Sequence, residues 1–192
     1  LAIFTGLVYG AHHILITRFL DEGERYYPIT LSASYDEAAF YGPRAHAAYL
    51  GQVRVGDTDL AEHKSDPALL PLLNPLVIGG LARVAGSFER GVIIADFIFP
   101  AIIFILIYLI AYELTRRKAL SLVLSSLFIF LPHLSVLVPP LSSASIADLI
   151  RYALPPIGHP SALYFSRFEH PQVTYLFYAF AFYVVLRALK RS

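Results

Sequence analysis

Apolar residues dominate four stretches of the chain, 1–19, 92–113, 119–138 and 172–189, separated by two long loops and a short basic turn. A hydrocarbon core about 30 Å thick is crossed by roughly twenty mostly apolar residues in a helix. The pattern therefore predicts an all-α polytopic membrane protein with four transmembrane helices. The expected division is a first helix over 1–20, a loop over 21–91, a second helix over 92–114, a turn over 115–118, a third helix over 119–138, a loop over 139–171, and a fourth helix with a basic end over 172–192. The first span is the weakest, since His12, His13 and Arg18 interrupt it, although Arg18 near its end can snorkel to the interface. The second is the strongest, with no charged side chain from Phe97 to Tyr112.

Within the 21–91 loop the pattern changes to short amphipathic helices. Ser34 and Glu37 have the S-x-x-E spacing of a capping box, so a helix is expected from residue 35 with Asp36 and Glu37 in its first turn. Gly42-Pro43 should interrupt it, while Ala45, Ala48 and Tyr49 continue an apolar face up to Gly51. A second helix is expected with Asn74 as cap, Pro75 at its first position, an apolar run from Leu76 to Ala85, and Gly86 as its end. At about ten residues it is too short to span a bilayer. Both are expected to lie on the membrane as juxtamembrane helices of the first extracytoplasmic loop, although a re-entrant or packing helix fits 75–85 equally. In the second loop, Ser145 and Asp148 mark another box-like start, of a short helix to Leu154.

Composition agrees with this division. The chain has 192 residues, 57% hydrophobic and 15% charged, with a mean hydropathy of +0.61, more apolar surface than a soluble domain of this size can bury. Segment 21–91 holds ten Asp and Glu against six Lys and Arg, whereas 92–112 holds one charged residue, Asp96. There is no cysteine, which removes disulfides and thiolate metal sites. Met is also absent, so Leu1 reads as a trimmed beginning and the first span as truncated; a signal peptide is not indicated, as no basic region precedes the apolar run. A net charge of +1 gives no footprint for nucleic acid.

Lys and Arg in short loops collect on the cytoplasmic side. Arg116-Arg117-Lys118 follows the second span, and Arg187, Lys190 and Arg191 close the fourth, so both clusters share one side if all four spans form. That assigns the two long loops to the extracytoplasmic side and makes the chain an integral membrane protein. Tyr112, Tyr152, Tyr164 and Tyr175 take the interfacial role of the missing Trp.

The chemistry then gathers in the first loop. Glu37 has both a capping and a catalytic reading, because carboxylates in a first helical turn are favoured by the exposed N–H groups. Asp36 is not needed by the box and is the residue that calls for a function. Arg44 and Lys64 are the phosphate-binding candidates, Arg being suited to bidentate contact, though each also fits as a counter-charge to a neighbouring carboxylate. The tract 56–67, with Asp57, Asp59, Glu62, His63 and Asp66, is a solvated turn by composition, and its oxygen and imidazole ligands would also suit a divalent metal or a phosphate. Its spacing fits neither a calcium loop nor a zinc motif. Arg167 and His170 precede the fourth span at headgroup depth, where a cation can face a lipid phosphate or serve as an anchor. Inside the spans, Asp96 and His133 read as paired or interfacial polar groups. His12-His13 lack further metal ligands nearby in sequence and read as structural.

The stretches YDEAAFYGPRAHAAYLGQ and VGDTDLAEHKSDPALLPLLNPLV, an apolar span closed by TRRK, and Arg167-Phe168-Glu169-His170-Pro171-Gln172 together resemble the GT-C glycosyltransferases, in the branch of protein O-mannosyltransferases and aminoarabinose transferases. The likeness covers about residues 1–118. It implies an acidic pair in the first extracytoplasmic loop between two juxtamembrane helices, and a polyprenyl-phosphate sugar as donor. Asp36 would be the general base toward an acceptor hydroxyl, Glu37 its partner, and Arg44, Lys64 and Arg167 the contacts of the departing phosphate. The transfer would invert the anomeric centre. Relatives of that kind have many more spans, so the chain reads as either a fragment or a small relative, and the absent Met favours the fragment. The resemblance implies no required cofactor, and the divalent metal noted above stays an option. A second reading is a non-catalytic scaffold or transporter subunit whose outer loop binds a partner. Translocation fits poorly, because transporters place charge at the midplane and these spans keep theirs outside. A third reading is a metal-dependent hydrolase acting on lipid headgroups, with Glu62, His63 and Asp36 converging.

Overall fold

The computed structural model describes residues 1–29, 41–53, 72–141 and 172–190, with 132–141 described by backbone alone. Among them are six helices and no strand: α1 (Ala2–Ile16), α2 (Gly42–Tyr49), α3 (Leu73–Ala85), α4 (Phe88–Thr115), α5 (Lys118–Leu141) and α6 (Gln172–Leu189). Two of these, α4 and α6, are long and apolar enough to cross a membrane, where the sequence pattern led to an expectation of four. α1 falls short because its 15 residues extend only about 22 Å. It stops at Thr17, whose hydroxyl donates to the Ile14 carbonyl, and the Arg18 and Phe19 amides turn back onto Leu15 and Ile16. The described apolar part of α5 covers Lys118–Leu131, also shorter than a span.

α4 is the hub, touching α1, α3, α5 and α6, while α2 packs on α3. Its first turn is set by Ser87, in extended conformation, whose Oγ accepts from the Arg90 amide at 3.2 Å. That cap starts the helix four residues ahead of the expected apolar run. Its end is set by Arg116, in the left-handed region at φ 56°, whose amide closes onto the Tyr112 carbonyl. The turn into α5 is then bound by Thr115, which accepts from the Arg117 amide and meets the Ser121 hydroxyl at 3.1 Å.

α1 runs antiparallel to α4 and approaches it closely along Gly6 and Gly10. A methyl group at Gly6 would lie 2.3 Å from the Phe97 carbonyl oxygen, and one at Gly10 would lie 2.4 Å from the Phe97 ring. The Gly-x-x-x-Gly spacing puts both on one face, where backbones can meet without side chains between them. The same device repeats outward. Gly91 of α4 sits against Ala82 of α3, and Gly79 of α3 sits against Ala48 of α2.

The apolar interior has two parts. Around the start of α4, Ile29, Ala45, Ile78, Ala82, Phe88, Val92, Ala95, Phe99 and Val173 are buried together; further along, Tyr9, Ile103, Phe104 and Ile129 are. The Tyr9 hydroxyl donates to the Ile129 carbonyl at 3.0 Å and ties α1 to α5. Large apolar side chains also face outward, among them Ile3, Ile105, Val123, Phe180 and Val185.

The short helices depart from expectation in detail. Gly42-Pro43 opens α2, with Pro43 in its first turn, where a missing N–H costs nothing. α2 ends before Gly51 at φ 99°, and the Arg83 Nε donates to the Tyr49 carbonyl there at 2.7 Å. α3 ends at the expected Gly86, at φ 82°, but begins ahead of Asn74, whose side chain donates to Thr174 of α6 at 3.1 Å. Thus Asn74 links helices where a cap was expected. The helix start expected at residue 35 and the short helix expected from Ser145 lie outside the described residues.

Gly6→Ala is expected to destabilise the protein by about 1–3 kcal/mol through the clash with Phe97. Gly80→Ala, where a methyl group meets nothing within 4 Å, should leave stability unchanged or raise it by up to about 1 kcal/mol. Thermal unfolding of both variants in one detergent compares them directly.

Candidate functional site

The most developed polar arrangement among the described residues is built on Asp96, on the first half of α4. This carboxylate is 4% exposed and surrounded by apolar helix surface, so its lone pairs must be met by protein donors. His13 of α1 supplies one, with Nε2 at 2.7 Å from Oδ2. Gln172, the first residue of α6, supplies the other through Nε2 at 2.7 Å from Oδ1. Asp96 is therefore held in a fixed orientation by two other helices.

The second nitrogen of His13, Nδ1, lies 2.5 Å from the Tyr26 hydroxyl. With an anionic Asp96, neutral His13 carries its proton on Nε2, so Tyr26 donates to Nδ1 and the order is Tyr26 to His13 to Asp96. Tyr26 is half-buried at the edge of the network, and burial, aided by the Asp96 charge, pushes its phenol up to about 12. The phenol thus stays protonated at neutral pH. Beside this chain of bonds the His12 ring lies tilted against His13, at 3.9 Å between ring centroids, and its Nδ1 is 2.8 Å from the Tyr9 carbonyl. A carbonyl can only accept, which puts the His12 proton on Nδ1 and leaves the Nε2 lone pair available. One ligand atom from each of His12, His13 and Asp96 lies within 4.8 Å of the other two.

At the opposite end of α4, Glu113 gathers the basic residues that the sequence set apart. Arg116 contacts it at 2.8 Å, Lys190 at 3.8 Å and Arg187 at 4.0 Å, and Lys190 also donates to the Glu113 backbone carbonyl. The two basic clusters therefore share one end of the bundle. Seventeen residues of helix, about 25 Å, separate Asp96 from Glu113, close to the thickness of a hydrocarbon core.

No family model matches the sequence, and no curated protein or solved structure gives a significant match. What the chain does must therefore be argued from its own residues.

Of the site residues expected from sequence, Asp36, Glu37, Lys64 and Arg167 lie outside the described residues. Arg44 is described, on α2, at 4% exposure. His12-His13 acquire the neighbour their sequence surroundings lack, since Asp96 comes to them across the α1–α4 interface. Asp96 is paired, as expected of an ionisable group in an apolar helix. Tyr26 and Gln172 carried no expectation of a site role. The available signal was the coincidence of His13 and Asp96 as isolated polar groups in helices that must pack together, with Gly6 and Gly10 marking the face of α1 that does so.

Asp96→Ala is expected to cost about 1–3 kcal/mol for each donor left unpaired in the interior, at His13 and at Gln172. Tyr26→Phe should cost about 1 kcal/mol. In a double-mutant cycle the two changes should fall short of additivity, because the Tyr26 bond depends on His13 being held by Asp96.

Proposed function

We propose that the chain is the amino-terminal membrane portion of a GT-C-type glycosyltransferase, moving a sugar from a polyprenyl-phosphate donor to an acceptor hydroxyl at the extracytoplasmic membrane face. The observation that carries this reading is the pairing of α2 with α3 against the start of α4. Both helices are too short to span. Together they make a shelf beside the polar end of the bundle, and the acidic pair Asp36-Glu37 enters α2 directly in sequence.

A membrane setting is supported by the length and apolarity of α4 and α6 and by the apolar side chains turned outward from α1, α4, α5 and α6. In this reading α4 and α6 cross the membrane, and α1 and α5 pack against α4 beside them. The cations around Glu113 then mark the cytoplasmic end, and the shelf lies toward the other side.

The chemistry needs few parts. A sugar phosphate is activated at its anomeric carbon, so the enzyme supplies a base to the incoming hydroxyl and cations to the departing phosphate. Asp36 is the base, Glu37 its partner, and Arg44, Lys64 and Arg167 are the phosphate contacts. The acceptor oxygen bonds to the anomeric carbon as the carbon–phosphate oxygen bond breaks, its proton passes to Asp36, and the configuration inverts. In the full-length protein, Asp36→Asn should lower transfer from a polyprenyl-phosphate sugar by about 10²-fold or more while expression and membrane insertion persist. Unchanged transfer would remove the catalytic assignment. A wild-type protein with no transferase activity that captures a partner through residues 21–91 would instead establish the scaffold.

A further inference from the structure

We propose that His12, His13 and Asp96 form a binding site for a divalent transition-metal ion, with zinc as the expected occupant. The site stands on different residues from the transferase reading and does not depend on it.

Two imidazoles and one carboxylate are a donor set suited to zinc and its neighbours among the first-row metals. The three ligand atoms already lie within 4.8 Å of one another, while ligands about 2.0–2.1 Å from a tetrahedral ion sit about 3.3 Å apart. Binding therefore requires the His13–Asp96 contact at 2.7 Å to open by roughly half an ångström and the His12 ring to close in, which is side-chain motion alone.

The surroundings complete the case. A metal-ligating histidine characteristically donates its other ring N–H to a fixed oxygen. Here both Nδ1 atoms face oxygen, His12 toward the Tyr9 carbonyl and His13 toward the Tyr26 hydroxyl, so Nε2 is the nitrogen each ring has left for a metal, that of His13 now bonded to Asp96. His12 is already in the ligating tautomer. His13 reaches it by moving its proton to Nδ1, and the Tyr26 hydroxyl, able to accept as well as donate, serves both states. The third ligand is oriented too, because Gln172 holds Asp96 Oδ1 and leaves Oδ2 toward the histidines. Gln172 supplies the independent sign of an incomplete site: it is 1% exposed, and its Oε1 has no hydrogen-bond partner among the described residues. A buried amide oxygen on the side chain that holds Asp96 offers a fourth donor for the ion, or for a water bound to it. The ion would also neutralise a carboxylate placed among apolar helices.

The test is metal retention by the purified protein in detergent. After incubation with zinc and removal of the excess, wild type should keep one zinc per chain, and cobalt(II) in its place should give ligand-field absorption with histidine coordination. His12→Ala should weaken zinc binding at least tenfold while leaving the His13–Asp96 bond and the fold intact. Tyr26→Phe should weaken it by about 10-fold or more through loss of the acceptor for Nδ1–H. His46→Ala, on exposed α2 surface, should bind as wild type does. The proposal is overturned if wild type retains no zinc, or if folded His12→Ala and Asp96→Asn retain it with wild-type affinity.

Discussion

A carboxylate buried in an apolar helix must be supplied with donors, and at Asp96 they come from outside α4. His13 brings α1 to one oxygen and Gln172 brings α6 to the other. Leaving either oxygen bare in that environment costs more than the bond itself contributes. Asp96 thus specifies which helices flank α4 and at what height, something apolar packing alone does loosely. Where lipid covers the outer surface, no hydrophobic gain drives helix against helix, and such polar contacts and close backbone packing decide the partners.

Close packing is the second constraint, and it propagates from the same helix. Gly6 lets α1 reach the α4 backbone and Gly10 makes room for the Phe97 ring, which brings His13 within hydrogen-bond distance of Asp96. Gly91 admits α3, and Gly79 admits α2 beyond it. The shelf of short helices is therefore positioned by small residues at two successive interfaces. At the far end, Glu113 draws Arg116 of the turn and Arg187 and Lys190 of the α6 end together, so the bundle is pinned by charge at one end and by a neutral-imidazole network at the other.

The helices themselves were largely legible. α4, α5 and α6 contain the apolar runs expected at 92–113, 119–138 and 172–189, and the glycine ends of α2 and α3 stand where Gly51 and Gly86 predicted them. The discrepancies have local causes. Ser87 starts α4 early because an extended serine can cap the amides of the next turn. Thr17 stops α1 short, which takes it below spanning length, and Pro43 begins a helix because its ring suits a first turn. Of the candidate catalytic and phosphate residues only Arg44 falls among the described ones, buried on α2.

The His13–Asp96–Tyr26–Gln172 network was not legible, for a reason that applies generally. Periodicity and capping are properties of neighbours along the chain, and they determined an all-helical protein, its glycine punctuation, its outward apolar faces and the two basic clusters. His13 and Asp96 are 83 residues apart, and Gln172 is 76 from Asp96. Which polar groups meet across helices depends on register and rotation, and these are set by close packing at Gly6, Gly10 and Gly91. Tertiary structure alone decided that two histidines with no company in sequence would stand beside one carboxylate.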